Sequence, residues 1–235
     1  MTLKTYSLQQ NTIDLSQDVF PAILRIWQDH PLELPAGGTH FGYVYQGQPR
    51  LSRQADVEAY RLRSGMYFCL PGEGRIEGEN SSGIVVTRLN YQGMFSLGGP
   101  IEPIGRFAYI DGGTNSLLIQ PIMLGDPCLN AMYFPKEVDQ TLHTHPSYRI
   151  GIVVAGRGEL ETLETVMNIE LGMIFLIPAD SLHKFRTIDS NLTVVVFHPD
   201  SDTGFTRRDN PMLKRTMVDG VSAAELPQIQ TKVSG

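Results

Sequence analysis

The chain has 235 residues, of which 41% are hydrophobic and 19% are charged. This globular composition excludes a chain that is disordered throughout. The length suffices for one large all-β domain or two barrels of roughly 100 residues each. With 19 Lys plus Arg against 25 Asp plus Glu, the net charge is −6, so the basic surface of a general nucleic-acid binder is missing. The apolar runs are far shorter than the roughly 20 residues of a membrane helix. We therefore expect no nucleic-acid partner and no membrane partner.

The N-terminus lacks the basic and then apolar blocks of a secretory signal, and the chain has two cysteines. These features predict a cytoplasmic location. In that reducing compartment we do not expect a disulfide between Cys69 and Cys128.

The first predicted element is a helix over residues 15–28, because apolar residues recur there at helical spacing. Strands follow, as short segments rich in Val, Ile, Tyr and Phe that are bounded by Gly, Pro, Asn and Asp. They cover residues 40–45, 83–89, 116–122, 148–154 and 192–198. A second short helix is predicted near residues 222–226. With 23 Gly and 15 Pro to form turns, the pattern is typical of an all-β sandwich or barrel with few short helices.

The sequence contains a weak internal repeat. Residues 41–47 (FGYVYQG) and 65–71 (GMYFCLP) resemble residues 150–156 (IGIVVAG) and 172–178 (GMIFLIP), at offsets of 109 and 107 residues. Because this offset matches the size of one small barrel, it predicts two barrels. The predicted division is an N-terminal extension (1–30), an N-terminal barrel (31–92, with adjoining strands to about 110), a C-terminal barrel (111–203) and a tail (204–235). The Gly- and Pro-rich segment 91–110 is the predicted linker.

Three histidines in the second copy form the candidate metal site. One residue separates His143 from His145 in an extended segment, where alternate side chains point to the same face. His183 follows beyond a turn, and a hairpin return would bring it beside the first pair. Three neutral imidazoles leave positions open on a divalent ion for water or substrate, which distinguishes a catalytic site from a closed structural one.

These residues resemble the two sequence motifs of the cupin superfamily. The matching residues are His143, His145 and Gly156 in the first motif, and Gly172, Pro178 and His183 in the second. The resemblance implies double-stranded β-helix (jelly-roll, or cupin) barrels, two per chain, with the metal motif intact only in the C-terminal barrel. The superfamily includes isomerases, dioxygenases, decarboxylases, hydrolases and plain binding proteins, so the fold does not choose among functions.

Arg149 stands where the first motif has a metal-binding glutamate. In a regular strand its side chain would enter the same cavity as the histidines, near a cation that repels it. One interpretation is a clamp that holds a substrate carboxylate through two hydrogen bonds. The other is a structural role, with the side chain turned outward or paired with Glu137, Glu159 or Glu161. Both interpretations stay open on the sequence.

Several further polar residues bear on the site. Glu137 or Gln140 is a candidate replacement for the missing ligand. His198 either orients a ligand imidazole or is structural. In the second motif, Asp180 and Thr187 replace a glycine and an asparagine, at a turn and at a strand end.

The first copy lacks the histidines. Aligning the repeats places Leu34 and Ala36 at the positions of the first two histidines, Ile76 opposite His183, and His40 opposite Arg149. We therefore expect an N-terminal barrel without a metal, which packs against the other barrel or closes its cavity. His40 is expected to be a structural or rim residue.

The function predicted from these features is a metal-dependent enzyme that acts on a small carboxylate-bearing metabolite. The three-histidine set resembles the iron sites of thiol dioxygenases, which are also cupins. That resemblance implies Fe(II), with Arg149 orienting the substrate and Tyr148 close to it as the candidate catalytic residues.

Two alternatives remain open. One is a Zn, Mn or Ni enzyme that catalyses isomerisation or hydrolysis, and the other is a small-molecule-binding or sensor cupin without turnover. The tail after residue 200 is too short for a helix-turn-helix module, so no DNA-binding role is expected. Exposed edge strands make a homodimer the expected assembly.

Overall fold

The computed structural model describes residues 2–9, 11–54, 58–207 and 210–232, and these are almost entirely strands and turns. The first eleven strands are β1 (Lys4–Tyr6), β2 (Asn11–Leu15), β3 (Ala22–Gln28), β4 (Leu32–Leu34), β5 (Gly38–Gln46), β6 (Arg50–Arg53), β7 (Tyr60–Arg61), β8 (Tyr67–Pro71), β9 (Gly74–Glu77), β10 (Ser82–Leu89) and β11 (Ser96–Gly98).

The later strands are β12 (Phe107–Ala108), β13 (Thr114–Ile119), β14 (Cys128–Phe134), β15 (Arg149–Thr162), β16 (Val166–Glu170), β17 (Ile174–Ile177), β18 (His183–Arg186), β19 (Leu192–His198), β20 (Met217–Val218) and β21 (Val221–Ser222). Two short 3-10 helices in the tail span Pro211–Arg215 and Ala223–Glu225. The all-β fold class predicted from the sequence is confirmed.

The two large sheets have matching strand orders. The order is β11-β8-β5-β10-β3-β2 in the N-terminal sheet and β1-β17-β15-β19-β14-β13-β12 in the C-terminal sheet, where β16 and β18 also pair with β15. Strands β5, β8 and β10 of the first correspond to β15, β17 and β19 of the second. A smaller sheet, β4-β9-β6-β7, accompanies the N-terminal one. The internal repeat of the sequence therefore has a counterpart in the topology.

The N-terminal strands cross the predicted division of the chain. Strand β1 pairs with β17 of the C-terminal sheet, whereas β2 and β3 lie at one edge of the N-terminal sheet. The segment predicted as a linker contains β11 and β12, which pair with β8 and β13. The domain boundaries themselves stay a prediction.

The helix predicted over residues 15–28 is wrong, because these residues end β2, form a turn and then form β3. Ala22, Leu24 and Ile26 are buried at alternate positions, while Val19 is 86% exposed. The other face of β3 also carries large side chains, so apolar residues recur at spacings that imitate a helix. The second predicted helix is the 3-10 turn at Ala223–Glu225.

Three of the five predicted strands lie within observed strands, and the other two overlap observed strands. Residues 40–45 lie in β5, residues 83–89 in β10, and residues 192–198 are β19. The segment 148–154 opens β15, which begins one residue later and continues to Thr162. The segment 116–122 is strand only as far as Ile119, the end of β13.

The two large sheets share a buried core. It includes Leu24 and Phe41 from one sheet and Ile150 and Phe197 from the other, and the rings of Phe41 and Phe197 lie 5.1 Å apart. Each sheet also has its own apolar cluster on the opposite side. The sheets are therefore held together by apolar packing between their inner faces.

Cys69 and Cys128 are buried free thiols. Among the described residues, no helix has the length and apolar character needed to cross a membrane.

Candidate metal centre

A short backbone pairing places two of the three histidines side by side. The amide of His143 donates to the carbonyl of His183 at 3.0 Å, and the amide of His183 donates back to the carbonyl of His143 at 3.0 Å. Directly opposed residues in such an antiparallel pair point to the same face. The carbonyl of His145 accepts a hydrogen bond from the amide of Asp180, at 2.8 Å. These bonds tie the turn before β18 to the segment that carries His143 and His145.

Asp180 occupies the motif position of a glycine, and its φ is 56°. This left-handed conformation explains why glycine suits the position, and Asp is among the side chains that tolerate it. The motif glycines Gly156 and Gly172 also have positive φ, at 70° and 83°. The replacement at position 180 therefore leaves the turn intact.

The three imidazoles converge in the structure. Their ring centroids are 4.7 to 5.2 Å apart, and one nitrogen of each lies within 4.8 Å of the others. Nitrogen ligands about 2.1 Å from one tetrahedral ion are separated by about 3.4 Å. Small rotations of the rings would therefore close this set around a cation.

Backbone carbonyls fix the orientation of two of the rings. Nδ1 of His143 lies 2.8 Å from the carbonyl oxygen of Thr141, and Nδ1 of His183 lies 2.7 Å from that of Ser181. A carbonyl oxygen only accepts, so each Nδ1 carries the proton and each neutral ring keeps its lone pair on Nε2. This is the usual arrangement of metal-binding histidines.

The surroundings of His145 and His183 keep these two rings neutral. Burial, together with the charge of Arg149 and the neighbouring imidazoles, lowers the pKa of His145 to about 3. Burial also lowers the pKa of His183 to about 4, although the hydrogen bond to Ser181 opposes it. Neutral imidazole is the form that binds a metal, so protons do not compete for these ligands at neutral pH.

The histidines line a cavity of about 110 Å³ on the face of the C-terminal sheet that points away from the N-terminal sheet. The remaining lining residues are the polar Tyr109, Asn115, Asn130, Gln140, Arg149 and His198 and the apolar Met132, Phe134, Phe175, Ile177, Phe185 and Val196. Three neutral nitrogen donors on one wall of such a cavity fit a divalent cation that keeps positions open toward the remaining space.

Arg149 lines this cavity and is only 8% exposed. Its Nη1 donates to the carbonyls of Ser147 (3.1 Å) and Tyr148 (3.0 Å) and to the hydroxyl of Ser147, and it lies 3.7 Å from Asp200 Oδ1. Its Nε is buried and has no hydrogen-bond partner among the described residues. The guanidinium is thus anchored through one nitrogen, and a second donor remains unused.

The structure corrects the partners expected for a structural Arg149. The side chain does not turn outward, and its acidic neighbour is Asp200. Glu159 and Glu161 pair with the basic side chains of β18, and Glu137 is exposed. They lie elsewhere because β15 presents Arg149 at its first residue, before the strand reaches the pairing with β18.

Gln140 lines the cavity, and its amide oxygen is engaged by the backbone. Gln140 Oε1 accepts a hydrogen bond from the amide of Phe185 at 3.2 Å, and Nε2 takes no part in that bond. An amide nitrogen is a donor and not a ligand. Glu137, the other replacement considered, does not line the cavity. Neither residue completes the histidine set in this arrangement.

Tyr148 is not part of the cavity lining, which corrects its expected place near a substrate. It is 1% exposed and packs in the core between the two sheets, where its hydroxyl donates to the carbonyl of Phe20 at 2.8 Å. The reason is the alternation of the strand, because residues next to Arg149 point to the opposite face.

The structure adds residues that the motifs did not indicate. Asn130 Nδ2 lies 3.2 Å from Nε2 of His198, so His198 contacts a neighbouring amide and not a ligand imidazole. Burial, with the charge of Arg149, holds the pKa of His198 far below its usual value. Asn130 is a polar residue in the otherwise apolar strand Cys128–Phe134, and this feature of the sequence could have indicated it.

In the N-terminal half, apolar side chains occupy the equivalent place. Leu32 is paired with Ile76 in the register in which His143 is paired with His183. The aligned repeat had placed Leu34 and not Leu32 there, because the N-terminal half has two more residues before its first motif glycine, Gly47. His40 is fully buried: Nδ1 lies 2.8 Å from Thr87 Oγ1, and Nε2 lies 3.1 and 3.0 Å from the carbonyls of residues 35 and 72. His40 is therefore a structural histidine.

Comparisons with known proteins agree with this architecture. Residues 134–229, fewer than half of the chain, match the AraC-like ligand binding domain family. No curated protein matches the sequence.

Solved structures resemble the fold at low sequence identity. A cupin 2 conserved barrel domain protein from Leptotrichia buccalis is 13% identical with a TM-score of 0.55, over 83% of this chain and 88% of its own. The putative glyoxylate induced protein from Pseudomonas aeruginosa is 14% identical with a TM-score of 0.62, over 89% and 84%. A variant of salicylate 1,2-dioxygenase from Pseudoaminobacter salicylatoxidans in complex with gentisate is 10% identical with a TM-score of 0.59, over 80% and 74%. The fold is therefore of the cupin type, and the family match supports the cupin superfamily.

Proposed function

We propose that this protein is a metal-dependent cupin that holds a divalent ion on His143, His145 and His183 and binds a small carboxylate beside it. The observation that carries the proposal is the convergence of three imidazoles in one cavity with a buried arginine. A bound divalent ion would supply Lewis-acid or redox chemistry to a ligand in its open positions.

The chain's own residues would position that ligand. Arg149 is held by the two preceding residues through Nη1, so its guanidinium loses little further freedom on binding a carboxylate. Nε then donates to one carboxylate oxygen, and the charge of the bound anion offsets the repulsion between Arg149 and the metal. Apolar side chains form part of the remaining cavity wall.

Metal analysis by mass spectrometry tests this site. We expect about one equivalent of a transition metal in the purified protein and a strong loss in His145→Ala, since among the described residues the His145 ring makes no hydrogen bond to a carbonyl of the kind that holds the His143 and His183 rings. His30→Ala is the matched control, because His30 is exposed and lies outside the cavity. Equal metal content in both variants would refute the site.

The identity of the bound metal distinguishes between the candidate reactions. We propose Fe(II) and dioxygenase activity first, for which iron in the purified protein and oxygen uptake with a carboxylate substrate are the expected results. Zinc, manganese or nickel without oxygen uptake would favour the isomerase or hydrolase. We also propose that the chain forms two barrels, assembles as a homodimer and is located in the cytoplasm. Light scattering of the purified protein tests the dimer.

A binding protein without turnover is the second candidate function. It is favoured by one specific observation, the match of residues 134–229 to a ligand-binding domain family. A ligand that binds the metal-loaded protein and is recovered unchanged after prolonged incubation in air would support this candidate over the enzyme.

A further inference from the structure

Three buried polar atoms in the cavity lack partners among the described residues. They are Arg149 Nε, Gln140 Nε2 and Asn130 Oδ1. In folded proteins nearly all buried polar groups are hydrogen-bonded, so three unsatisfied groups in the side chains around one cavity are places where a ligand can supply the missing partners.

The neighbours of two of these atoms define what the ligand must offer. Gln140 Oε1 is bonded to a backbone amide, so the free Nε2 is a donor and requires an acceptor. Asn130 Nδ2 donates to Nε2 of His198, so the free Oδ1 is an acceptor and requires a donor. A simple carboxylate would satisfy Arg149 and Gln140 and would leave Asn130 unpaired. The ligand therefore has to carry a hydrogen-bond donor as well as an anionic group.

The place of Asn130 in the sheet allows one small molecule to reach both groups. Asn130 lies on β14 and Arg149 on β15, with β19 between them. Both side chains nevertheless line the same cavity, so a molecule that fills it can contact both. The cavity of about 110 Å³ is smaller than the roughly 150 Å³ cavity known to hold benzene. Its size thus favours a short aliphatic ligand over an aromatic one.

Charge decides which donor the ligand carries. Arg149 brings a positive charge to the cavity wall, and a divalent ion would add to it. An ammonium group would be repelled there, whereas a hydroxyl would not. Resting on the metal-dependent function proposed above, we propose that the ligand is a short aliphatic hydroxy acid, held through its carboxylate by Arg149 and through its hydroxyl by Asn130.

Calorimetric titration of the zinc-loaded protein tests this selectivity without requiring turnover. We expect lactate to bind about tenfold or more tightly than propionate, since loss of the hydroxyl leaves a buried acceptor unpaired. Alanine, which has an ammonium group in place of the hydroxyl, and salicylate, which is larger, are expected to bind more weakly than lactate. Equal affinities for lactate and propionate, a preference for alanine or salicylate, or no carboxylate binding below about 10 mM would overturn the inference.

A variant separates this inference from the metal site. Asn130→Leu is expected to abolish the preference for lactate over propionate while keeping zinc content, and Asn168→Leu, at an exposed position of β16, is the control that keeps both. Full zinc content with an unchanged preference in Asn130→Leu would refute the role of Asn130 alone. Absence of zinc from the wild-type protein would instead refute the proposed function.

Discussion

The two halves of this protein place opposite chemistry at equivalent positions of matching sheets. In the C-terminal half, His143 faces His183 across the backbone pairing, beside a cavity. In the N-terminal half, Leu32 faces Ile76, and Ile76 belongs to a buried apolar cluster. The same strand arrangement therefore accommodates either pair of side chains. The residues at this position decide whether the half has a packed apolar interior or a cavity lined by histidines.

A second pair of equivalent residues teaches the same lesson for polar groups. His40 pairs with Leu70 in β8, as Arg149 pairs with Ile177 in β17. Both ring nitrogens of His40 have hydrogen-bond partners, whereas Nε of Arg149 has none. The hydrogen bonds of His40 are therefore explained by structure alone, whereas the Arg149 side chain at the cavity keeps a donor for which a ligand can supply the partner.

The largest expected effect concerns packing in the N-terminal half. Ile76→Ala should lower the free energy of unfolding by about 2–5 kcal/mol, because Ile76 is fully buried and its removal leaves a cavity. His183→Ala, at the equivalent position, should cost less than half of that in metal-free protein, since this ring borders an existing cavity. Urea unfolding of both variants in the presence of a chelator makes the measurement. Equal losses would show that the two positions are packed alike.

A smaller effect concerns the pH dependence of stability. Burial lowers the pKa of His40 to about 4, so between pH 6.5 and 4 the unfolded state binds the proton and the folded state does not. The contribution of neutral His40 to the free energy of unfolding is complete above pH 6.5. It is lost as the pH falls toward 4, with about 2 kcal/mol lost at pH 5. His40→Gln should reduce the difference in unfolding free energy between pH 7 and pH 5 by about this amount. An unchanged difference would contradict the assignment.

The smallest effect concerns Tyr148, which lies beside Arg149 in sequence but outside the cavity. Tyr148→Phe removes the hydroxyl that donates to the carbonyl of Phe20 and should cost about 1 kcal/mol of stability. Metal content and affinity for lactate should stay unchanged, since the side chain packs between the sheets. A loss of ligand affinity without a loss of stability would instead indicate that Tyr148 contacts the ligand.

Parts of this structure could be predicted from local patterns. Short β-branched and aromatic segments bounded by turn residues located β5, β10 and β19, because strand formation there depends on neighbours in the sequence. The same reasoning failed for β3, where apolar residues on both faces of a strand imitate helical spacing. The spacing of His143 and His145, with Gly172 and Pro178 before His183, was sufficient to nominate three residues that converge in the fold.

The sequence by itself determined the all-β class, the internal repeat and the three histidines, because each follows from residue types at short spacing. Only the tertiary structure decided that Arg149 contacts Asp200, that Tyr148 packs between the sheets, and that Asn130 lines the cavity with an unpaired oxygen. Those features depend on strands far apart in the chain and on the face that each side chain takes. A shift of one residue in strand register reverses that face, so these contacts follow from how distant strands pair and not from the residues of one segment.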